Sequence, residues 1–244
     1  NEAQAAARAA ELGIGPPVLG ELPTVGTLIT ELVDGHHLEP EPFSRRIADV
    51  VEQLRRFHES GPLAGAFPIH RVVEWHARDA MVHGVVPPTA YDRLHQHSRR
   101  IEAAFAAAPT APVACHNDLL PANVLFGAYR VWLLDFEYAG MNERFFDLAN
   151  LSINAGLSPD GDAALLDAYV GSISHGDWAR LQLMKVMSEF REGMWAVVQQ
   201  AISTLDTDFV SYANERLASA ERLAARPEFE QWLSDVARDR GHRA

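Results

Sequence analysis

The residues best equipped for chemistry lie between positions 116 and 135. His116-Asn117-Asp118 form a polar triplet, Asn123 follows Asp118 by five positions, and Asp135 closes the stretch. Between Asn123 and Asp135 run two apolar segments, Val124-Leu125-Phe126 and Arg130 to Leu134, around a Gly127-Ala128 turn. Two such segments around a glycine-containing turn predict a β-hairpin. Antiparallel pairing sets Asn123 near the start of one strand and Asp135 at the end of its neighbour. Both then stand at one end of the hairpin, with Asp118 on the loop before it. An amide and a carboxylate oxygen brought together suit a hard cation of the kind Mg²⁺ represents, with nucleotide phosphates supplying further ligands. A third carboxylate nearby can accept the proton of an attacking hydroxyl.

The order H-x-D-x4-N followed by a strand-borne Asp is that of kinase catalytic and metal loops. Two longer runs, H-N-D-L-L-P-A-N-V-L and L-L-D-F-E-Y-A-G-M-N-E-R-F-F-D-L-A-N, resemble the choline/ethanolamine kinase family, within the aminoglycoside-phosphotransferase-like group of protein-kinase-like folds. The resemblance implies an α+β, mostly helical fold: a kinase-like C-terminal lobe with a short catalytic β-hairpin. It implies ATP and Mg²⁺ as cofactors, Asp118 and His116 as catalytic residues, and Asn123, Asp135 and Glu137 as metal residues. Asp147, in F-D-L-A-N, is expected to brace the catalytic loop. Glu2 corresponds to an ion-pairing helix glutamate, and Glu31, Leu32 and Val33 to a hinge that holds adenine by its backbone.

On this reading residues 1–33 are a remnant of an N-terminal lobe and residues 34–244 the C-terminal lobe. The glycine-rich loop and strand lysine of a kinase would precede Glu2. Lys185, the only lysine in the sequence, falls in a late helical region. The N-terminal lobe is therefore expected to be largely missing from this chain. The start at Asn1 rather than Met favours a cut segment over a lost lobe.

The acceptor side resembles the late helices of choline kinases, where aromatic residues box a quaternary ammonium group. Trp195 and Tyr212 match box aromatics, Glu192 stands where the family has a second tryptophan, and Asn154 replaces a family carboxylate. Glu192 lies one turn before Trp195 on the same helical face, which suits a cation. The expected acceptor is a small cationic alcohol, choline first. Alternatives are an aminoglycoside or thiamine kinase, or a catalytically incomplete binding module if the N-terminal lobe is truly absent.

Composition narrows the classes. The chain has 244 residues, 48% hydrophobic and 22% charged, an ordinary globular balance. A net charge of −12 argues against a nucleic-acid partner. No run of 18 apolar residues predicts membrane insertion. The one cysteine, Cys115, excludes an internal disulfide and fits a reducing, cytoplasmic setting; it reads as a small buried residue. His36-His37 reads as a solvated turn, and His95 and His97, two apart, do not share a helix face.

The elements that must position these residues follow from periodicity and breakers. An Ala-rich helix over 1–12 stops at Gly13. Strands are predicted at 18–22 and 26–32. Helices are predicted over 43–60, 72–86, 91–107, 144–154, 162–171, 178–202, 206–225 and 228–238. Ser158 and Asp177 are the expected caps of the helices after them, and residues 138–142 are expected to form a loop.

Overall fold

The computed structural model describes residues 2–22, 24 and 26–239; Asn1, at the head of the expected first helix, lies outside them. The chain divides into two compact units. The first comprises Asn1–Phe67 and Ala111–Ile173, the second Pro68–Thr110 and Ser174–Ala244.

The first unit opens with α1 (Glu2–Glu11), whose alanines Ala5, Ala6 and Ala9 are its buried face. It ends at Gly13, which takes φ +67°, a conformation cheap only for glycine. Antiparallel β1 (Val18–Leu22) and β2 (Thr27–Thr30) follow. β2 stops before Glu31, so the expected strand over 26–32 is shorter, and residues 31–33 lie outside any strand. The predicted helix over 43–60 is two helices, α2 (Pro40–Arg45) and α3 (Ile47–His58). Arg46, at φ −102° and ψ 12°, breaks the run between them. α3 buries Ile47, Val50, Val51, Leu54 and Phe57 at helical spacing.

The centre of this unit is built from short strands. β3 (Val113–Cys115) leads into the 116–118 loop, a 3₁₀ turn spans Pro121–Asn123, and β4 (Val124–Phe126) pairs with β5 (Val131–Leu133). The register Val124↔Leu133, Leu125↔Trp132, Phe126↔Val131 is the predicted hairpin. Gly140–Asn142, expected as loop, is a strand, β6, paired with β3 through Cys115↔Gly140 and Val113↔Asn142. A three-residue strand is too short for alternation to show; the pairing itself defines it. α6 (Arg144–Asn154) and α7 (Pro159–Val170) complete the unit, with Ser158 Oγ accepting from Gly161 N–H as cap of α7. Phe57, His116 and Phe136 pack ring against ring, with centroids 5.3 and 4.8 Å from Phe136.

The second unit contains α4 (Ile69–Val82), α5 (Ala90–Ala107), α8 (His175–Ile202), α9 (Phe209–Ala224) and α10 (Phe229–Arg238). α4 starts and ends earlier than the predicted 72–86, because Gly84 at φ +82° terminates it. α8 is buried along nearly its whole length and packs against α9, α4 and α10. Its cap is Ser174, whose Oγ accepts from Asp177 N–H while Asp177 Oδ2 accepts from Ser174 N–H. Asp177, expected as the cap, is the far half of a reciprocal capping box that starts α8 three residues earlier. Asp208 caps α9 by accepting from Ser211 N–H. Among the described residues no helix is long and apolar enough to cross a membrane.

Candidate active site

The site in the first unit is assembled from backbone outward. The hydrogen bond from Leu134 N–H to Asn123 C=O (2.9 Å) extends the hairpin by one rung, so Asn123 and the residue before Asp135 face each other. Asn123 Nδ2 donates to Asp118 C=O at 3.0 Å, which ties the metal-type amide to the loop. Asp135 takes φ +62° and Asn117 φ +67°. Asn and Asp are the non-glycine residues that tolerate the left-handed region, and such strain persists where surroundings over-determine it, often at functional sites.

The loop is braced from behind. Asp147, fully buried in the first turn of α6, accepts from His116 N–H through Oδ2 and from Asn117 N–H through Oδ1, both at 2.7 Å. Its Oδ2 also meets His58 Nε2 at 3.0 Å, and His58 Nδ1 meets the Tyr169 hydroxyl at 2.6 Å. Asn150 Oδ1 accepts from Leu119 N–H at 2.6 Å. Asn117 Nδ2 donates to Tyr138 C=O (3.0 Å) and its Oδ1 accepts from Asn142 Nδ2 (2.8 Å), joining the loop to β6. His58, Cys115 and Asp147 lie close enough to suggest a metal trio. Asp147 is committed to backbone N–H groups, however, and burial together with the charge of Asp147 holds the Cys115 thiol well above its usual range.

His116 is fully buried. Its Nδ1 accepts from Asp118 N–H (3.3 Å), so Nε2 carries the proton and donates to Leu134 C=O at 2.8 Å. With both ring nitrogens bonded to backbone, His116 locks the loop to the hairpin.

The carboxylates after the loop feel one another's charge. Glu137, largely exposed where it leaves the hairpin, has its pKa raised by partial desolvation and then by the charges of Asp135, Asp118 and Glu2. Glu2 therefore contributes from α1 to the same field. The amide of Asn123 and the carboxylate of Asp135, at one end of the hairpin, are oxygen donors of the type a hard divalent cation takes. At the other end of the hairpin a cleft of about 380 Å³ is lined by Glu31, Leu32, Val33, Tyr129 and Trp132, with Leu32 almost fully exposed.

The acceptor candidates divide between the units. Asn154, in the first, donates to Leu119 C=O at 3.3 Å. In the second, Glu192 and Tyr212 are brought together: the Tyr212 hydroxyl donates to Glu192 Oε1 at 2.9 Å. Trp195 is half-buried on α8, edge-on to Phe209 with centroids 5.9 Å apart. Sequence reasoning missed Asn117, Asn150, His58, Tyr169 and Arg216. The first is part of the polar triplet; Asn150, His58 and Tyr169 act across long separations, and Arg216 meets Tyr212 four positions away but Glu189 27 away.

A loop and hairpin so arranged, with a helix-borne aspartate holding the loop from behind, define a kinase-like phosphotransferase scaffold. The sequence pattern of the phosphotransferase enzyme family matches residues 1–184. A solved choline/ethanolamine kinase family protein from Mesorhizobium loti is 31% identical, with TM-score 0.89, over 98% of this chain and 84% of that one. The chain belongs to the phosphotransferase enzyme family and, within it, to the choline/ethanolamine kinase family. Protein LicA of Haemophilus influenzae is 29% identical over 45% of this chain and 42% of that protein. Mouse ethanolamine kinase 2 is 26% identical over 73% of this chain and 52% of that protein. The chain spans about half the length of these two relatives.

Proposed function

We propose that the protein transfers the γ-phosphoryl group of ATP to the hydroxyl of a small cationic alcohol. What supports this is the backbone placement: Asn123 pairs with Leu134 at the end of the hairpin, Asp135 follows, and the Asp118 loop beside them is doubly braced by Asp147. In the proposed reaction Asp118 orients the acceptor hydroxyl and takes its proton as the oxygen bonds to the γ-phosphorus. The bond to the β–γ bridging oxygen breaks and ADP leaves. Mg²⁺ would be held by Asn123 and Asp135, with Glu137 in support, and supplies neutralisation of phosphate charge. The backbone of Glu31–Val33, bordering the cleft, receives the adenine. Residues 1–33 act as the rear of an N-terminal lobe and residues 34–244 as the C-terminal lobe. Trp195, Tyr212, Glu192 and Asn154 are the acceptor-side residues.

The test is a phosphoryl-transfer assay on the full-length protein with Mg·ATP and a panel of choline, ethanolamine, thiamine and kanamycin. Transfer to one of the small cationic alcohols, lost with EDTA, is the expected result. Kanamycin as the best acceptor, or no transfer to any of the four, overturns the reading.

A further inference from the structure

Asn142 stands on β6, and β6 is held from two sides within the first unit. On one side it pairs with β3 through Cys115↔Gly140 and Val113↔Asn142. On the other, Met141 N–H donates to Gly65 C=O at 2.8 Å, and Phe67 N–H donates to Met141 C=O at 2.9 Å. Gly140 runs so close to this second segment that an added Cβ would stand 3.3 Å from the backbone of Gly65 and Ala66. The buried side chain of Asn142 therefore springs from a fixed backbone.

Two amides in this corner have their directions set by their partners. Asn142 Oδ1 accepts from Glu143 N–H at 2.8 Å, which turns Nδ2 toward the loop. Asn142 Nδ2 donates to Asn117 Oδ1 at 2.8 Å. Asn117 Nδ2 in turn meets three carbonyl oxygens: Tyr138 at 3.0 Å, Gly140 at 3.3 Å and Cys115 at 3.4 Å. Turning either amide over would set oxygen against oxygen and strand buried polar atoms. Asn117 itself is held at φ +67°, and Asp118 is the next residue. Tyr138 and Gly140 follow Asp135 and Glu137 in the chain. The amide pair thus ties the loop that carries Asp118 to the segment that leaves Asp135. Asp147 grips the same loop from α6 through the N–H groups of His116 and Asn117, and Asn142 adds a hold from β6.

We infer that Asn142 is a positioning residue: through the Asn117 amide it holds Asp118 in place relative to Asp135 for phosphoryl transfer. The inference rests on the phosphotransferase reading above and adds to it a residue outside the base and metal set.

A double-mutant cycle on the full-length protein tests it, with Mg·ATP and whichever of choline and ethanolamine the wild type phosphorylates faster. Asn142→Leu removes one amide at similar volume. Asn117→Gly removes the other and leaves a residue that takes positive φ freely. Well below the melting temperature, each should lower kcat roughly 10- to 100-fold, the scale of a small misplacement of reacting groups. KM for Mg·ATP should stay near the wild-type value. The double variant should be no slower than the slower single variant, because both substitutions cut one connection. A merely structural Asn142 predicts a lower melting temperature with kcat of the folded protein kept, or losses that multiply in the double variant; either result overturns the inference. If only one of the two single variants folds, its kinetics decide: a kcat near wild type overturns the inference, and a kcat loss at unchanged KM for Mg·ATP sustains it. A wild type inert toward both amino alcohols overturns the phosphotransferase reading and this inference together. An active wild type with unimpaired variants overturns this inference only.

Discussion

At the scale of single residues the candidate site rests on separating carboxylates by role. Asp118 is nearly buried, and its own N–H and C=O are fixed by His116 and Asn123. A carboxylate on so constrained a backbone is suited to meet a hydroxyl. Asp118→Asn should lower turnover by roughly 10²- to 10⁴-fold, the usual worth of a general base, with the melting temperature unchanged. A loss below tenfold moves Asp118 to a supporting role. Glu137 gives a different readout. Its raised pKa means that the folded state binds this proton more tightly than the unfolded chain does. From its ordinary value of 4.5 up to the raised folded value the native state holds more protons, so stability falls as pH rises. Glu137→Gln removes that contribution. Denaturant midpoints measured across this window should show a shallower decline in the variant, and parallel curves contradict the assignment.

At the scale of elements, precision comes from close packing of helices and from long-range polar braces. Asp147 serves two backbone N–H groups and His58 from one buried side chain. Asp147→Ala strands these donors, and a stability loss of roughly 2–5 kcal/mol is expected from the unsatisfied groups. Urea unfolding measures it, and a loss under 1 kcal/mol would mean that the loop finds other acceptors. α8 and α9 approach so closely at Gly193 that an added Cβ would stand 2.7 Å from Leu217 Cδ2 and Cγ, and 3.2 Å from its backbone nitrogen. Gly193→Val should cost about 1–3 kcal/mol by overpacking. It should also disturb the Glu192–Tyr212 bond one position away.

At the scale of the whole molecule, ligand and fold are linked. A ligand that binds only the native state raises stability in proportion to the logarithm of its concentration over Kd. Mg·ATP should therefore raise the melting temperature more than ATP with EDTA does. In Asp135→Ala the difference between the two should vanish if Asp135 holds the metal, because that carboxylate is gone while the cleft beside Glu31–Val33 is untouched. An equal shift with and without Mg²⁺ in the wild type removes Asn123 and Asp135 from metal binding. The charge of −12 opposes self-association and sets no fold.

What the sequence determined by itself is what short-range physics governs. The hairpin was legible because its turn, its two apolar runs and the antiparallel rule suffice to place Asn123 and Asp135 at one end. Most helices were legible from apolar spacing and caps. Their boundaries moved where a single residue such as Arg46 or Gly84 broke the run, or where Ser174 shared its cap with Asp177. Tertiary structure alone decided β6, since three residues carry no periodicity until Cys115 pairs with Gly140 across 25 positions. It also decided that His116 turns inward to the backbone, while the bracing by Asp147, expected from the resemblance, takes the form of bonds to two N–H groups about 30 positions earlier. On the acceptor side, Trp195, Tyr212 and Glu192 could be picked out in the sequence, but not their partners. The spacing of Tyr212 and Arg216 allows a contact along one helix. Whether Glu192 is spare or spent depends on how α9 lies against α8, and only packing over long sequence separation settles that.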